Sequence, residues 1–341
     1  MRDGYYIEAG ALSRLPSLLS DGKYTAVYYL HDTMVDGLFG AHIRETVASV
    51  TVLVPCEVKE NSLCAAKELA ESLASEKAPL VLALGGGRVL DFGKYASYLA
   101  KAPLLLIPTA LSNDGLVSPL AVLSVGEGKS ETLSAKGADL LLLDTEICGA
   151  SPAFLTQSGI GDVLSNASAL IDFDLAVARG KEAQCDTARA LSAKALDLLL
   201  ASKEESLSPT LIAELAEALV LSGLAMCEMG STRPVSGAEH LFGYALDMHL
   251  APRRVSHGLA VALGTLAVYR LLEKDDCHLL SVLRRFGVDV CPSRLGVDEN
   301  TFVKAFLSAR DMRDRYTCLD ELKPTEATLS EIYRSLERDL A

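Results

Sequence analysis

Between residues 26 and 143 the chain alternates short, continuous apolar runs with longer stretches of helical period. The apolar runs fall at 26–30, 50–54, 80–84, 104–107 and 140–143, and helical periodicity separates several of them at 33–47, 61–76 and 88–100. Strands that are apolar throughout, joined by helices, predict a parallel sheet buried on both faces. Two further runs, 120–124 and 130–134, flank Val125-Gly-Glu-Gly-Lys129 and predict an antiparallel hairpin inserted in the series. After Asp144 the strand signal fades. Ser151-Pro152 reads as an N-cap followed by proline at the first helical position. Helices are predicted at 152–179, 183–202, 209–228, 235–250, 257–273, 275–286, 298–311 and 325–339, with Gly180, Gly230 and Gly287 placed as C-caps. The expected architecture is an α/β, Rossmann-like nucleotide-binding domain over 1–148 followed by an all-α domain over 149–341.

Composition narrows the function classes. With 341 residues, half of them apolar, the chain is long enough for two cores. A net charge of −13 argues against nucleic acid or an anionic membrane as the main partner, while leaving room for a small anionic substrate met by local basic residues. The cysteines are scattered without a Cys-x-x-Cys, a pattern that suits reduced thiols in a cytoplasm. The N-terminus has no apolar signal-peptide core, and the apolar runs read as too short to insert in a membrane.

Several stretches carry chemistry. Leu80 to Asp91 is a strand running into Gly85-Gly86-Gly87 and then a helix. Glycines admit a phosphate close to the backbone, and a helix N-terminus offers N–H donors, so this is a candidate pyrophosphate seat; a tight strand–helix turn without a ligand explains the same residues. Asp32, just after the first predicted strand, suits either a ribose hydroxyl or an N-cap. The polar loop Pro108 to Pro119 follows another strand, where ligand loops belong. Asp162 and Asn166 share one helix face, so the first is placed to ligate a metal and the second to orient it. His240, Tyr244 and Asp247 share the face of a helix that Pro234 is expected to open, and a second histidine follows at His257. Two imidazoles and a carboxylate suit zinc with an open fourth position; a buried histidine that merely satisfies a core hydrogen bond is the competing explanation.

Taken together, Gly-Gly-Gly-Arg-Val-Leu-Asp (85–91), Pro-Thr-Ala-Leu-Ser-Asn-Asp-Gly with Ser118-Pro119, Gly-Ile-Gly-Asp-Val-Leu-Ser-Asn (159–166), Arg-Pro-Val-Ser-Gly-Ala-Glu-His (233–240) and Asp-Arg-Tyr-Thr (314–317) resemble the sn-glycerol-1-phosphate dehydrogenases. These belong with the iron-containing alcohol dehydrogenases, glycerol dehydrogenases and dehydroquinate synthases. The resemblance covers nearly the whole chain in order and implies a dehydroquinate synthase-like fold. It implies NAD(P)H-dependent reduction of dihydroxyacetone phosphate, a step of phospholipid biosynthesis, in a cytoplasmic homo-oligomer. It further implies Zn2+, with Fe2+ or Ni2+ as alternatives, on Asp162, His240 and His257; a cofactor site at Asp32, Gly85, Gly86, Gly87, Asp91, Thr109, Ser112 and Ser118; and substrate contact at Asp114. Lys136 and Arg233 are the candidate phosphate partners. Two departures bear on the substrate. The family usually has Ser-His-Asp-Gly and His-Gly-Glu-Gln where this chain has Ser112-Asn113-Asp114-Gly115 and His257-Gly258-Leu259-Ala260. A polyol dehydrogenase acting on an unphosphorylated substrate, a dehydroquinate-synthase-like cyclase and a nucleotide-binding relic without turnover are the rival readings.

Overall fold

A computed structural model describes residues 3–126 and 129–341. The chain forms two compact units, Met1–Leu111 with Gly115–Ser151, and Ser112–Asp114 with Pro152–Ala341.

The first unit runs β1 (Tyr5–Glu8), α1 (Leu15–Gly22), β2 (Ala26–His31), α2 (Thr33–Ala48), β3 (Val52–Glu57), α3 (Leu63–Ala74), β4 (Pro79–Gly85), α4 (Gly87–Ala100), β5 (Leu104–Pro108), β6 (Leu120–Gly126), β7 (Lys129–Ser134), β8 (Leu140–Asp144) and α5 (Thr145–Gly149). Six strands make one sheet in the order β1-β8-β5-β4-β2-β3, and every pairing in it is parallel. β2 and β4 are buried along their whole length, as strands covered on both faces must be. Val27, Tyr29, Leu80, Leu82, Leu84, Leu105 and Ile107 pack with Leu15, Leu19, Val35, Ile43 and Val47 of α1 and α2. Each such aliphatic side chain contributes about 1.5–3 kcal/mol when fully buried. β6 and β7 pair antiparallel as the expected hairpin, whose turn residues 127 and 128 lie outside the described residues.

Four elements of this unit depart from the pattern reading. β1 and α1 gave no usable period, being four and eight residues long. β3 lies later than 50–54, because the N–H groups of Val50 and Thr51 both return to the Val47 carbonyl and close the end of α2. α5 is a single capped turn after Asp144, which accepts from the Glu146 N–H.

The second unit runs α6 (Ala153–Ala178), α7 (Asp186–Ala201), α8 (Pro209–Met229), α9 (Ala238–Leu250), α10 (His257–Leu271), α11 (Cys277–Arg285), α12 (Glu299–Ser308), α13 (Cys318–Leu322) and α14 (Glu326–Leu340). Helix α9 starts at Ala238 with Gly237 as its N-cap, so Pro234 lies ahead of the helix instead of opening it. Among the described residues one helix, α8, is long and apolar enough to cross a membrane, against the expectation that no run would be. Its composition has a simpler cause: 67% of its most apolar window is buried in the protein, and it packs against α6 and α7. The short segment Ser112–Asp114 belongs with these helices, not with the strands that flank it in sequence. Hydrogen bonds to α6 hold it there: the Ser158 hydroxyl donates to the Ser112 carbonyl (3.0 Å), and the Asp114 N–H donates to Asp162 Oδ2 (2.7 Å).

Candidate metal centre and nucleotide loop

Helices α6 and α10 meet at glycines. A Cβ on Gly258 would lie 1.7 Å from the Ser158 carbonyl oxygen, and one on Gly161 would lie 2.4 Å from the Gly258 carbonyl oxygen. Only bare backbone permits that approach. The Ser158 hydroxyl secures it, accepting from the Ser256 hydroxyl (2.7 Å) and from the Gly258 N–H (3.2 Å). The crossing sets His257, the first residue of α10, beside Asp162 in α6, while α9 brings His240 to the same point. Asp162 Oδ1 stands 3.4 Å from His257 Nε2 and 3.9 Å from His240 Nε2. One ligand atom from each of the three residues lies within 4.8 Å of the others. Donors about 2.0–2.1 Å from a tetrahedral zinc stand roughly 3.3 Å apart, so the spacing fits a small cation with little adjustment.

The two oxygens of Asp162 are in different states. Oδ2 accepts the Asp114 N–H, whereas Oδ1 is buried without a hydrogen-bond partner and faces the imidazoles. A buried carboxylate oxygen left unpaired is costly unless a cation meets it. His240 is equally prepared. Its Nδ1 is 2.8 Å from Glu239 Oε1, and Glu239 is fully buried. A carboxylate partner assigns the proton to Nδ1 and leaves Nε2 bare toward Asp162. Burial by itself raises the Glu239 pKa; the hydrogen bond and charge of His240, the Gly237 N–H and the Ser168 hydroxyl more than offset this and hold it below the ordinary carboxylate value. His257 is pushed below the usual imidazole value, first by desolvation, with Asp162 opposing. With 40% of its side-chain surface open, the environment favours the neutral ring.

Glu239 was not among the residues singled out from the sequence, although its place directly before His240 is the signal that could have found it. Asn166, expected to orient Asp162, does something else. Its side chain donates to the Ser192 carbonyl (3.3 Å) and the Ser222 hydroxyl (2.9 Å), tying α6 to α7 and α8. Tyr244 keeps near the histidines, its ring centroid 6.4 Å from that of His240 and 6.5 Å from that of His257. Asp247 is outside the group of three. A third buried carboxylate, Asp172 of α6, accepts the N–H groups of Ala238 (2.7 Å) and Cys318 (2.6 Å). Desolvation, followed by the charge of Glu239, pushes its pKa up to about 6. Arg233 is 2% exposed and gives one N–H to the Tyr316 carbonyl.

In the first unit, Gly85, Gly86 and Gly87 lie where β4 passes into α4. A Cβ on Gly85 would meet Val89 at 2.9 Å, a packing reason for glycine. Nothing lies within 4 Å of a Cβ placed on Gly86 or Gly87, so the fold supplies no steric reason for glycine at either. Gly86 caps α4 with no side-chain hydrogen bond, and its carbonyl accepts the N–H groups of Val89 (3.0 Å) and Leu90 (3.2 Å), which closes the first turn of the helix. Thr109, just past β5, donates its N–H to the Gly85 carbonyl (3.1 Å). Asp91 is engaged on both oxygens, by Lys94 (2.7 Å) and the Val122 N–H (3.0 Å), and buried Ser118 lies beside the same lysine. Asp32 is the N-cap of α2, accepting from the Val35 N–H (2.8 Å). Ser112 and Asp114 are in the helical unit, as described. Lys136 pairs with Asp139 (2.6 Å) and donates to the Ala102 carbonyl, so it is spent within the first unit. Of the two departures, Asn113 donates to the Ser112 hydroxyl (3.3 Å), Ala260 is buried near Gly243 of α9, and Leu259 is half-buried.

Residues 6–152 match the iron-containing alcohol dehydrogenase family. The chain is 32% identical over 320 residues to the glycerol-1-phosphate dehydrogenase (NAD(P)+) of Hyperthermus butylicus, covering 92% of this chain and 91% of that one. It is 37% identical over 254 residues to the enzyme of the same name from Methanospirillum hungatei, covering 73% and 70%. Among solved structures, glycerol dehydrogenase from Schizosaccharomyces pombe superposes with a TM-score of 0.77 at 20% identity, over 98% of this chain and 89% of that one. Sulfoacetaldehyde reductase from Bifidobacterium kashiwanohense, solved with NAD+, gives 0.73 at 14% identity, over 98% and 96%. With the fold matched along its length and the sequence related over nine-tenths of it, the chain belongs to the glycerol-1-phosphate dehydrogenase family, a group of NAD(P)-dependent oxidoreductases among the iron-containing alcohol dehydrogenases.

Proposed function

We propose that the protein reduces dihydroxyacetone phosphate to sn-glycerol 1-phosphate with NADH or NADPH, using a divalent metal, zinc by preference, held by Asp162, His240 and His257. The observation that carries this reading is Asp162 Oδ1, buried without a partner and turned to two imidazole nitrogens at 3.4 and 3.9 Å. Neutral nitrogen donors with one carboxylate suit zinc and also ferrous iron. When bound, such an ion acts as a Lewis acid toward a carbonyl oxygen. The chain's own groups do the positioning. Glu239 fixes the His240 tautomer, and the Asp114 N–H fixes Asp162 so that one oxygen is presented. The Asp114 side chain is assigned to a substrate hydroxyl. Gly86 and Gly87 leave room for the pyrophosphate of a dinucleotide whose chemistry is hydride transfer from nicotinamide.

The test uses metal-stripped protein titrated with zinc, with dihydroxyacetone phosphate and each reduced cofactor, and follows cofactor oxidation and product configuration. The expected result is zinc-dependent formation of sn-glycerol 1-phosphate, and loss of both zinc and turnover in His240→Ala. No reduction with either cofactor, or a His240→Ala protein with stoichiometric zinc and full turnover, would overturn the reading.

A further inference from the structure

Three arginines converge beside the candidate metal centre, in a chain whose net charge is −13. The loop ahead of α13 carries Arg313 and Arg315; the segment ahead of α9 carries Arg233. Arg315 is held by neutral groups: its guanidinium donates to the Ser236 carbonyl (2.7 Å), the Ser236 hydroxyl and the Thr232 hydroxyl. Desolvation, and then the charge of Arg233, lower its pKa to about 10. Arg233 lies deeper, with Nη1 buried without a hydrogen-bond partner and Nε 3.7 Å from Glu182 Oε2; desolvation lowers its pKa, and the charges of Asp172, Glu239 and Glu182 oppose that. Arg313 projects over Tyr244, its Cζ 4.3 Å from the ring centroid, and that ring stacks at 6.5 Å on His257. The Tyr244 phenol therefore has two kinds of neighbour. The charges of Arg313 and Arg315 reach it, and so do those of Asp114 and Asp162.

Crowding like charges costs free energy, and here desolvation adds to it. Such an arrangement is stable where a multiply charged anion joins it. We propose that Arg313 and Arg315, with Arg233 behind them, seat the phosphomonoester end of the substrate, while Asp114 and the Asp162–His240–His257 group receive its hydroxyl and carbonyl end. This deepens the function proposed above and rests on it. It replaces Lys136, whose ammonium is already paired with Asp139. The planar guanidinium of Arg313 is suited to two phosphate oxygens at once, and Arg315, already fixed by Ser236 and Thr232, adds charge with little further ordering.

The experiment compares Arg313→Gln and Arg313→Lys with the wild type on two substrates, dihydroxyacetone phosphate and dihydroxyacetone. It also measures the affinity of the zinc-loaded protein for inorganic phosphate by calorimetry. Losing one partner of a desolvated charge pair costs a factor of about 30 or more. The ratio of kcat/KM for the phosphorylated over the free ketone should fall by that factor in Arg313→Gln, through KM, and phosphate affinity should fall with it. Arg313→Lys should recover part of both. These variants leave in place Arg315 and Arg233, which tie the loops together through Ser236, Thr232 and Tyr316. An unchanged ratio with unchanged phosphate affinity would overturn the seat and leave the proposed reduction standing. Wild-type protein that reduces dihydroxyacetone as well as its phosphate would overturn both.

Discussion

Glu239 shows how much of the centre depends on a residue that would never touch substrate. Its carboxylate accepts from His240, from the Gly237 N–H (2.5 Å) and from the Ser168 hydroxyl (2.7 Å), and it is fully buried. Glu239→Gln keeps the shape and removes the charge that fixes the His240 proton on Nδ1. Groups that orient metal-ligating histidines typically change affinity by about 10–100-fold, and zinc titration against a chromophoric chelator should show a loss in that range with an unchanged circular dichroism spectrum. Zinc affinity equal to wild type would mean that His240 is set by packing alone. At this scale the sequence was legible where chemistry follows from residue type. Asp162, His240 and His257 could be named as candidate donors and Gly85–Gly87 as a candidate phosphate loop, while the open space around Gly86 is visible only in the fold. It was not legible where a side chain has more than one way to turn. Asn166 sits at the right spacing to reach Asp162, yet Ser192 and Ser222 on neighbouring helices take its amide.

Among the elements, the glycines divide into those the fold needs and those it does not. Gly258→Ala would place a methyl group inside bonding distance of the Ser158 carbonyl, so α10 must move off α6 and carry His257 with it. Overpacking of this kind typically costs about 1–3 kcal/mol, occasionally more, and the displaced ligand adds a loss of zinc. Gly86→Ala meets nothing within 4 Å. We expect a lower melting temperature and a weaker metal site in the first variant. In the second, the melting temperature should hold while NADH affinity, read by fluorescence, falls. An Gly86→Ala protein with wild-type affinity would remove the pyrophosphate seat from this loop. The long helices and central strands were readable because their periods run for several turns or several buried residues. β1 and α13 were not, since four or five residues carry no measurable period. The place of Ser112–Asp114 was hidden for a different reason: two hydrogen bonds from residues nearly fifty positions later decide it.

For the whole molecule, composition described an average that the site does not share: a chain of net charge −13 gathers three arginines beside its histidines. Its two compact units also divide the proposed ligands between them. The three candidate donors Asp162, His240 and His257 come from α6, α9 and α10 in the helical unit, and the glycine loop lies in the sheet unit. A ligand stabilises what it binds by about 2.7 kcal/mol when present at a hundred times its dissociation constant, and hydrogen exchange resolves where that stabilisation acts. Zinc removal should therefore speed amide exchange around Asp162 and in the first turns of α9 and α10, where donors from three helices lose the ion that joins them. NADH should slow exchange over residues 85–90 and the start of α4. If chelation left α6, α9 and α10 unchanged and instead loosened residues 85–90, the metal would have to lie outside the Asp162–His240–His257 group, and the carboxylate oxygen left unpaired there would need another partner.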